Sequence, residues 1–280
     1  MTGPERDSRV VIFTDDPGWH GRVLVRALAA RGIEGVYASL RACHLVIDQS
    51  GPGLRIPGFE RALPRGAFVR GVPGGTLEEV VLRLDVLHWL AELNVPVFNS
   101  GRAIERTVDK AMTSFRLSRI GLSTPRTFAF ESAAAANAGL APLLVAGHAI
   151  VIKPLFGSQG EGVIRIQSPA EFATLQPMGG VFYAQEYLDR DGPPYRDWRV
   201  LVVNGTARFA MERSSANWVT NRAQGARCVS VVLTEEVADL AERAAAALQI
   251  DYAGVDLMCD VNGRWWVGEV NGVPAWWGLT

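Results

Sequence analysis

The sequence predicts an α/β protein whose first part alternates strands with helices and whose second part turns to antiparallel hairpins. Three observations predict it. Over residues 1 to 100, short β-rich runs alternate with helical patterns. A glycine-rich stretch, Phe156 to Gly162, lies between two strand-like runs, where a nucleotide-binding βα turn would need a helix. Asn-Gly pairs at 204–205 and 262–263 each separate apolar runs, the strongest short-range signal for a two-residue hairpin.

Taken in order, Arg9 to Thr14 reads as a strand, Trp19 to Ala30 as a helix and Glu34 to Ala38 as a second strand. His44 to Asp48 and Ala67 to Arg70 read as two more. Thr76 to Leu93 has the pattern of a strongly amphipathic helix, opened by a capping box of Thr76 and Glu79; Pro96 to Phe98 is a short strand. Gly71 to Gly75 precedes that helix, but it has neither the Lys-Ser/Thr of a P-loop nor a dinucleotide fingerprint, so a plain turn is preferred to a phosphate loop.

Helical segments carry Asp109-Lys110 through to Ile120. Arg126 to Phe130 is a strand, Ser132 to Ala146 a helix, and Ala149 to Pro154 a strand ending in Lys153. Strand, glycine loop, strand describes a hairpin flap whose backbone N–H groups could close over phosphates, with Lys153 as a point charge beside them. An ordinary glycine-rich hairpin is the alternative. Val181 to Leu188 is a buried-type strand with Glu186 inside it. That carboxylate and the backbone edge after it suit an adenine and a ribose, or Glu186 is a paired core residue. Counting from Asn204-Gly205 sets Val203 against Thr206 and Arg199 against Ala210, with Asp197 and Arg199 on one face. Trp218 to Asn221 forms a polar-ended loop, and Thr234 to Leu248 an Ala-rich helix.

The last hairpin carries the most chemistry. If Asn262-Gly263 is a two-residue turn with both residues at positive φ, Val261 faces Arg264 and Asp256 faces Glu269, while Asn271 shares the face of Glu269. Opposed like charges repel, so a cation is expected between them. Two carboxylates and an amide oxygen suit a hard divalent ion, read here as Mg2+. A solvent-facing acidic pair is the alternative, against which stand the Val, Leu, Met and Trp of these strands.

Lys and Arg number 28, Asp and Glu 29, and the net charge is −1, which argues against nucleic acid as a partner. Cys43, Cys228 and Cys259 show no paired spacing, so neither a disulfide frame nor a zinc site is expected. Met1 to Ser8 has no signal-peptide run, and no stretch approaches the ~20 apolar residues of a membrane span. The expectation is a cytoplasmic protein with no membrane partner.

Asp109-Lys110, VIKPLFGSQGEGV, QEYL, DWRVLVV, the Glu-Arg pair at 212–213, WVTN, AGVD and EVN follow one another in an order that resembles the ATP-grasp enzymes, in particular the RimK-like, α-L-glutamate-ligase-type branch. The resemblance covers about residues 100 to 280. It implies an ATP-grasp fold with a Rossmann-like N-terminal domain over 1–100, a central subdomain over 101–182 and a C-terminal subdomain over 183–280. It implies that Lys110 and Lys153 hold nucleotide phosphates under a flap including Gly157, Ser158, Gln159, Gly160 and Gly162. Glu186, Tyr187 and Leu188 match the adenine and ribose segment, and Asp197, Thr220 and Asn221 lie near the nucleotide. Asp256, Glu269 and Asn271 match ligands of two Mg2+ ions, with Mn2+ an alternative occupant. Arg199 and Arg213 match the groups that neutralise an acyl phosphate.

The implied activity is an ATP-dependent carboxylate–amine ligase working through that acyl phosphate. FVRGVPGGTLEEVVLRLDVLHWL resembles RimK-like proteins linked to one-carbon carriers of the methanopterin or furan type. The implied partners are then a small-molecule carboxylate acceptor and an amino acid, glutamate first. Many relatives are homo-oligomers, so self-association is an expectation. A ligase acting on a protein C-terminus, a phosphotransferase and a non-catalytic ATP-binding module are the rivals. The sequence departs from the family where Gly272 to Thr280 replaces the usual Ser-Pro-Gly continuation, and nothing in it explains Glu161 in the flap.

Overall fold

The computed structural model describes residues 6–49, 51–157 and 160–277. They fall into two compact units, one running to Ile104 and taking back Val273–Trp277, the other Glu105–Gly272. No helix among the described residues is long and apolar enough to cross a membrane.

The first unit is built from β1 (Val10–Phe13), α1 (Gly18–Ala29), β2 (Gly35–Ala38), β3 (His44–Asp48), β4 (Gly51–Arg55), β5 (Gly66–Val69), α2 (Leu77–Glu92), β6 (Val97–Phe98) and the start of α3 (Gly101–Val108). Its parallel sheet has the order β2-β1-β5-β6. Val11, Ile12 and Phe13 are fully buried, as a continuous apolar run requires of an inner parallel strand.

Two expectations change here. Strand β3 does not join that sheet. It pairs with β4, whose Gly-Pro-Gly start disguises it as a loop. Helix α2 keeps its capping box, Thr76 Oγ1 accepting from the Glu79 amide and Glu79 Oε2 from the Thr76 amide. It is not strongly amphipathic, however: Val86, Leu87 and Leu90 are buried while Leu77, Val81 and Leu82 are exposed. Gly71 to Gly75 is a plain loop, held to the same helix by Arg83, whose Nη1 donates to the carbonyls of Pro73 and Gly74. The returning tail is seated by Arg70, which donates to Pro274 O and lies over the Trp276 ring, and by His20 Nε2, which accepts from the Trp276 amide.

The second unit contains α4 (Lys110–Arg119), β7 (Thr127–Phe130), α5 (Ala133–Val145), β8 (Ile150–Lys153), β9 (Ile164–Ile166), α6 (Pro169–Ala173), β10 (Phe182–Glu186), β11 (Tyr195–Val203), β12 (Thr206–Ser215), β13 (Arg227–Val231), α7 (Glu235–Leu248), β14 (Tyr252–Cys259) and β15 (Trp265–Asn271). One sheet has the order β7-β10-β8-β9, the other β13-β12-β11-β14-β15. Leu140, Leu144, Ile150, Ile152, Phe172 and Phe182 form the core behind the first sheet. Helix α7 buries Val237, Ala241, Ala244, Ala245 and Leu248, one stripe at helical spacing. The helical run through Asp109 is broken at that residue, whose Oδ1 accepts from the amides of Ala111 and Met112. An N-cap therefore makes Lys110 the first residue of α4. The short elements α6 and β13 are additions to the sequence reading.

Both hairpins depart from the simple count. Asn204 and Gly205 have φ of 50° and 73°, as the two-residue turn demands, and Val203 faces Thr206. A bulge then adds a residue to β12, so Leu201 faces Phe209 and Arg199 faces Met211, not Ala210. The same shift sets Asp197 directly against Arg213.

In the last hairpin only Gly263 has positive φ. The turn is longer than two residues: Gly263 N–H donates to Asp260 O, Asp260 N–H to Arg264 O, and the last strand pair is Cys259 with Trp265. Asp260 Oδ1 organises it by accepting the amides of Asn262 and Arg264. A bulge at Gly268 cancels the slip, so Leu257 faces Val267 but Asp256 faces Glu269. The expected pairing is present by a different route.

Candidate active site

A cavity of about 150 Å3 lies within the second unit. The first turn of α4 brings Lys110, Thr113 and Ser114 to it, the end of β8 brings Lys153, and the glycine flap brings Gly157, Gly160 and Glu161. Strand β10 adds Tyr183 and Gln185. Asp197, Arg213, Thr220, Asn221, Asp256 and Glu269 line it from the second sheet and the 218–221 loop.

The lysines form one wall. Lys110 Nζ donates to Gly157 O at 2.7 Å and stands 3.9 Å from Glu269 Oε1. Burial lowers its pKa, against the pull of Glu269 and Asp109. Lys153 Nζ donates to Gln185 Oε1 at 2.8 Å, and burial lowers its pKa too, with Lys110 and Arg190 adding to the effect. Two poorly solvated ammonium groups under a flap of backbone amides are matched to a polyanion.

The second sheet supplies a buried charge network. Arg213 Nε and Nη2 donate to Asp197 Oδ1 and Oδ2 at 2.6 and 2.7 Å, and Thr220 Oγ1 donates to Asp197 Oδ2. Arg199 grips Asp256 in the same forked way, 2.7 Å on each side, and Arg213 Nη2 reaches Asp256 Oδ2 at 3.0 Å. Burial acts to raise the Asp256 pKa, but the two guanidinium groups outweigh it and hold the carboxyl below the usual range. For Asp197 burial wins and the pKa is raised, against the pull of Arg213. Arg213 is only 4% exposed, yet Asp256 and Asp197 overcome its burial and keep it charged.

The repulsion expected between Asp256 and Glu269 therefore does not by itself require a metal. Arg199 and Arg213 already answer the charge of Asp256. The oxygen donors nonetheless fit Mg2+. Three lone-pair positions of Asp256 accept N–H groups, which leaves a fourth; Asn271 uses its Nδ2 to reach Gly254 O, which leaves Oδ1; and Glu269 is a third exposed. Among the described residues no cluster of three His, Cys, Asp or Glu side chains is shaped to hold a metal. Two carboxylates and an amide match an ion that keeps waters and takes further ligands from phosphates.

The remaining sequence candidates divide. Asn221 caps the short turn that follows it by accepting from the Ala223 amide, and Gly160 O accepts from Gln224 Nε2 at 2.8 Å, joining flap to loop. Gly162 sits against Pro154. Ser158 and Gln159 lie outside the described residues. Glu186, Tyr187, Leu188, Gly162, Arg199 and Asn271 are not part of the cavity lining. Glu186 is paired with His148, Nδ1 to Oε1 at 2.6 Å, and is half-buried rather than a core residue. The backbone edge after it is not open at once, because the Tyr187 amide donates to Ala149 O.

The sequence profile of the RimK-like ATP-grasp domain matches residues 107–279. The chain belongs to the RimK-like ATP-grasp family. It is 34% identical to the tetrahydromethanopterin:alpha-L-glutamate ligase of Methanococcus maripaludis, over 76% of this chain and 73% of that one. It is 30% identical to the alpha-aminoadipate–LysW ligase LysX of Saccharolobus solfataricus, over 66% and 68%. The ATP-grasp ligase PsnB, solved with minimal precursor, Mg and ADP, has a similar fold, with a TM-score of 0.70 at 20% identity over 98% of this chain and 92% of that one. This RimK-like protein is accordingly an ATP-dependent ligase that joins a carboxylate to an amine.

Thr113, Ser114, Tyr183, Gln185 and Arg190 are lining residues that escaped the sequence reading. Gln185 and Tyr183 alternate on one face of β10, a signal that was available but looked like core. Arg190 donates to Trp218 O and Arg196 O, tying the 218–221 loop to β11, and nothing in its coil context marks it.

Gly160 has a φ of +73°, and a Cβ there would lie 2.8 Å from Gln224 Nε2 and 3.0 Å from Val219. Gly160→Ala should therefore unseat the flap tip at about 1–2 kcal/mol, and the KM for ATP should rise roughly tenfold. Steady-state titration of ATP checks this, and an unchanged KM would show that the flap need not seat there.

Proposed function

We propose that this ligase binds ATP with its phosphates between Lys110 and Lys153 under the flap, and adds an amino acid, glutamate first, to a carboxylate of a small-molecule acceptor. What carries the reading is the convergence of two buried ammonium groups and the Glu269 carboxylate on one glycine-roofed cavity. Donor and acceptor class follow the name of the tetrahydromethanopterin:alpha-L-glutamate ligase relative.

Glu269, Asn271 and Asp256 would hold Mg2+, as one or two ions, and Mn2+ suits the same oxygens. When bound, the metal neutralises phosphate oxygens and helps to align them. The acceptor carboxylate attacks the γ-phosphorus, ADP leaves, and the amine displaces phosphate from the acyl phosphate to give the amide. Lys110 and Lys153 counter the charge that passes to ADP. Arg213 has Nε and Nη2 engaged by carboxylates and turns its remaining Nη1 to the acyl phosphate. Arg199, outside the lining, acts through Asp256. The seated flap keeps water from the acyl phosphate.

The test is ADP release from Mg-ATP with each amino acid and a panel of acidic small molecules, read with product mass. ADP that requires both an amine and an acceptor, with a mass gain of one glutamate residue, is the expected result. ADP formed without amine would make the enzyme a phosphotransferase. Turnover only with a peptide acceptor would overturn the acceptor class.

A further inference from the structure

The two lysines are joined by a buried hydrogen-bond chain that the reaction scheme leaves unexplained. Gln185, on β10, is 2% exposed. Its Oε1 accepts from Lys153 Nζ at 2.8 Å, while its Nε2 donates to Thr127 Oγ1 at 3.1 Å and to Ser114 Oγ at 3.4 Å. Ser114 Oγ lies 2.9 Å from Tyr183 Oη, which lies 3.4 Å from Lys110 O.

The direction of the bonds that Gln185 makes to Lys153 and Thr127 is forced. Thr127 gives its only hydroxyl proton to Pro125 O at 2.7 Å, so it can only accept from Gln185. That fixes the amide nitrogen toward Thr127 and the amide oxygen toward Lys153, which removes the usual flip ambiguity. Burial pushes the Tyr183 pKa up to about 12, so it stays protonated, and its one proton can go to Lys110 O or to Ser114 Oγ; the Ser114–Tyr183 bond can run either way. The chain thus runs from the ammonium of Lys153 to the backbone of Lys110 through Gln185, Ser114 and Tyr183. Its cationic surroundings are Lys110 and Arg190, and its anionic ones Glu269 and Asp256.

We propose that Gln185 is the positioning residue for Lys153: its neutral, orientation-locked amide aims the ammonium at the phosphates without cancelling the charge. An amide takes one of the three N–H donors of Lys153 and leaves two for the ligand. A carboxylate in the same place would neutralise the ammonium, and an apolar side chain would leave it without a buried acceptor.

This rests on the proposed role of Lys153 in ATP binding, so the experiment is a double-mutant cycle on the full chain, read as the ATP dissociation constant and as KM and kcat. Lys153→Met alone should weaken ATP binding at least tenfold. Gln185→Met should weaken it roughly tenfold, raise the KM for ATP and leave kcat within about twofold. The double variant should bind no worse than Lys153→Met, because Gln185 acts only through Lys153.

Losses that multiply in the double variant, or an unchanged Gln185→Met, would overturn the inference while leaving Lys153 in place. An unchanged Lys153→Met would overturn the ATP-site reading and the inference together. If methionine at 185 prevents folding, Gln185→Glu keeps the shape and should still weaken ATP binding tenfold or more; wild-type affinity there would overturn the proposal.

Discussion

Replacing Arg213 by methionine should cost about 3–5 kcal/mol of stability, because it leaves Asp197 and Asp256 buried without their shared cation. At roughly 2–4 °C per kcal/mol for a unit of this size, the melting temperature should fall by on the order of 10 °C. The methionine retains most of the apolar volume, so cavity formation is a minor part. Lysine should not rescue the loss: a single ammonium cannot reproduce the fork on Asp197 and also reach Asp256. Differential scanning calorimetry of the wild type, Arg213→Met and Arg213→Lys decides it. A shift under 2 °C in both variants would mean that the carboxylates find other partners or take up protons at little cost. Turnover should fall further than stability explains, since the variant also lacks the guanidinium group proposed to meet the acyl phosphate.

That network shows what sequence could and could not deliver. Asp197, Arg199, Arg213 and Asp256 were each legible as charged residues inside apolar strands, and charge in such a place requires partners. Their actual partnerships were not legible. The count from Asn204-Gly205 sets Arg199 against Ala210, and only the bulge after Leu201 slides Asp197 into line with Arg213. A bulge is a backbone decision made by packing on both faces, and no residue in Thr206 to Arg213 announces it. The last hairpin teaches the converse. Asp256 was placed correctly against Glu269 although the turn was misread, because a longer turn and a bulge at Gly268 offset each other. The metal inferred from their repulsion was thus motivated by a true pairing, while the charge on Asp256 had already been answered by arginine.

Elements with strong local determinants were the readable ones. The capping box at Thr76 and the serine and threonine caps at Ser132 and Thr234 set helix starts by side-chain bonds that sequence displays directly. Strand β4 depends on its tertiary partner, and its Gly-Pro-Gly start carries no such signal. Helix α6 does carry one, Ser168 Oγ accepting from the Glu171 amide ahead of Pro169, and the sequence reading omits it. Gln185 falls between the two cases. Its alternation with Tyr183 was visible, but the direction of its amide is set by its neighbours, the donor-only Lys153 ammonium and the proton that Thr127 gives to Pro125 O.

Glu269→Gln separates the metal role from the charge on the lysines. Glu269 is the one carboxylate of the candidate metal set that faces Lys110 rather than a guanidinium group. Removing its charge should cost several kcal/mol of metal-assisted turnover, a loss of roughly a hundred- to a thousandfold. ATP binding without Mg2+ should hold or improve, since Lys110 then meets the phosphates with its charge unopposed. Mg2+ should no longer tighten it. Calorimetric titration of ATP with and without Mg2+, beside a Mg2+ titration of turnover, reads both effects. Asp256→Asn supplies the contrast: there Arg199 and Arg213 lose a buried anion, so stability should fall along with activity. If Glu269→Gln kept the wild-type response to Mg2+, the metal would have to be held elsewhere, and the Asp256–Glu269 pair would be a structural device of the hairpin.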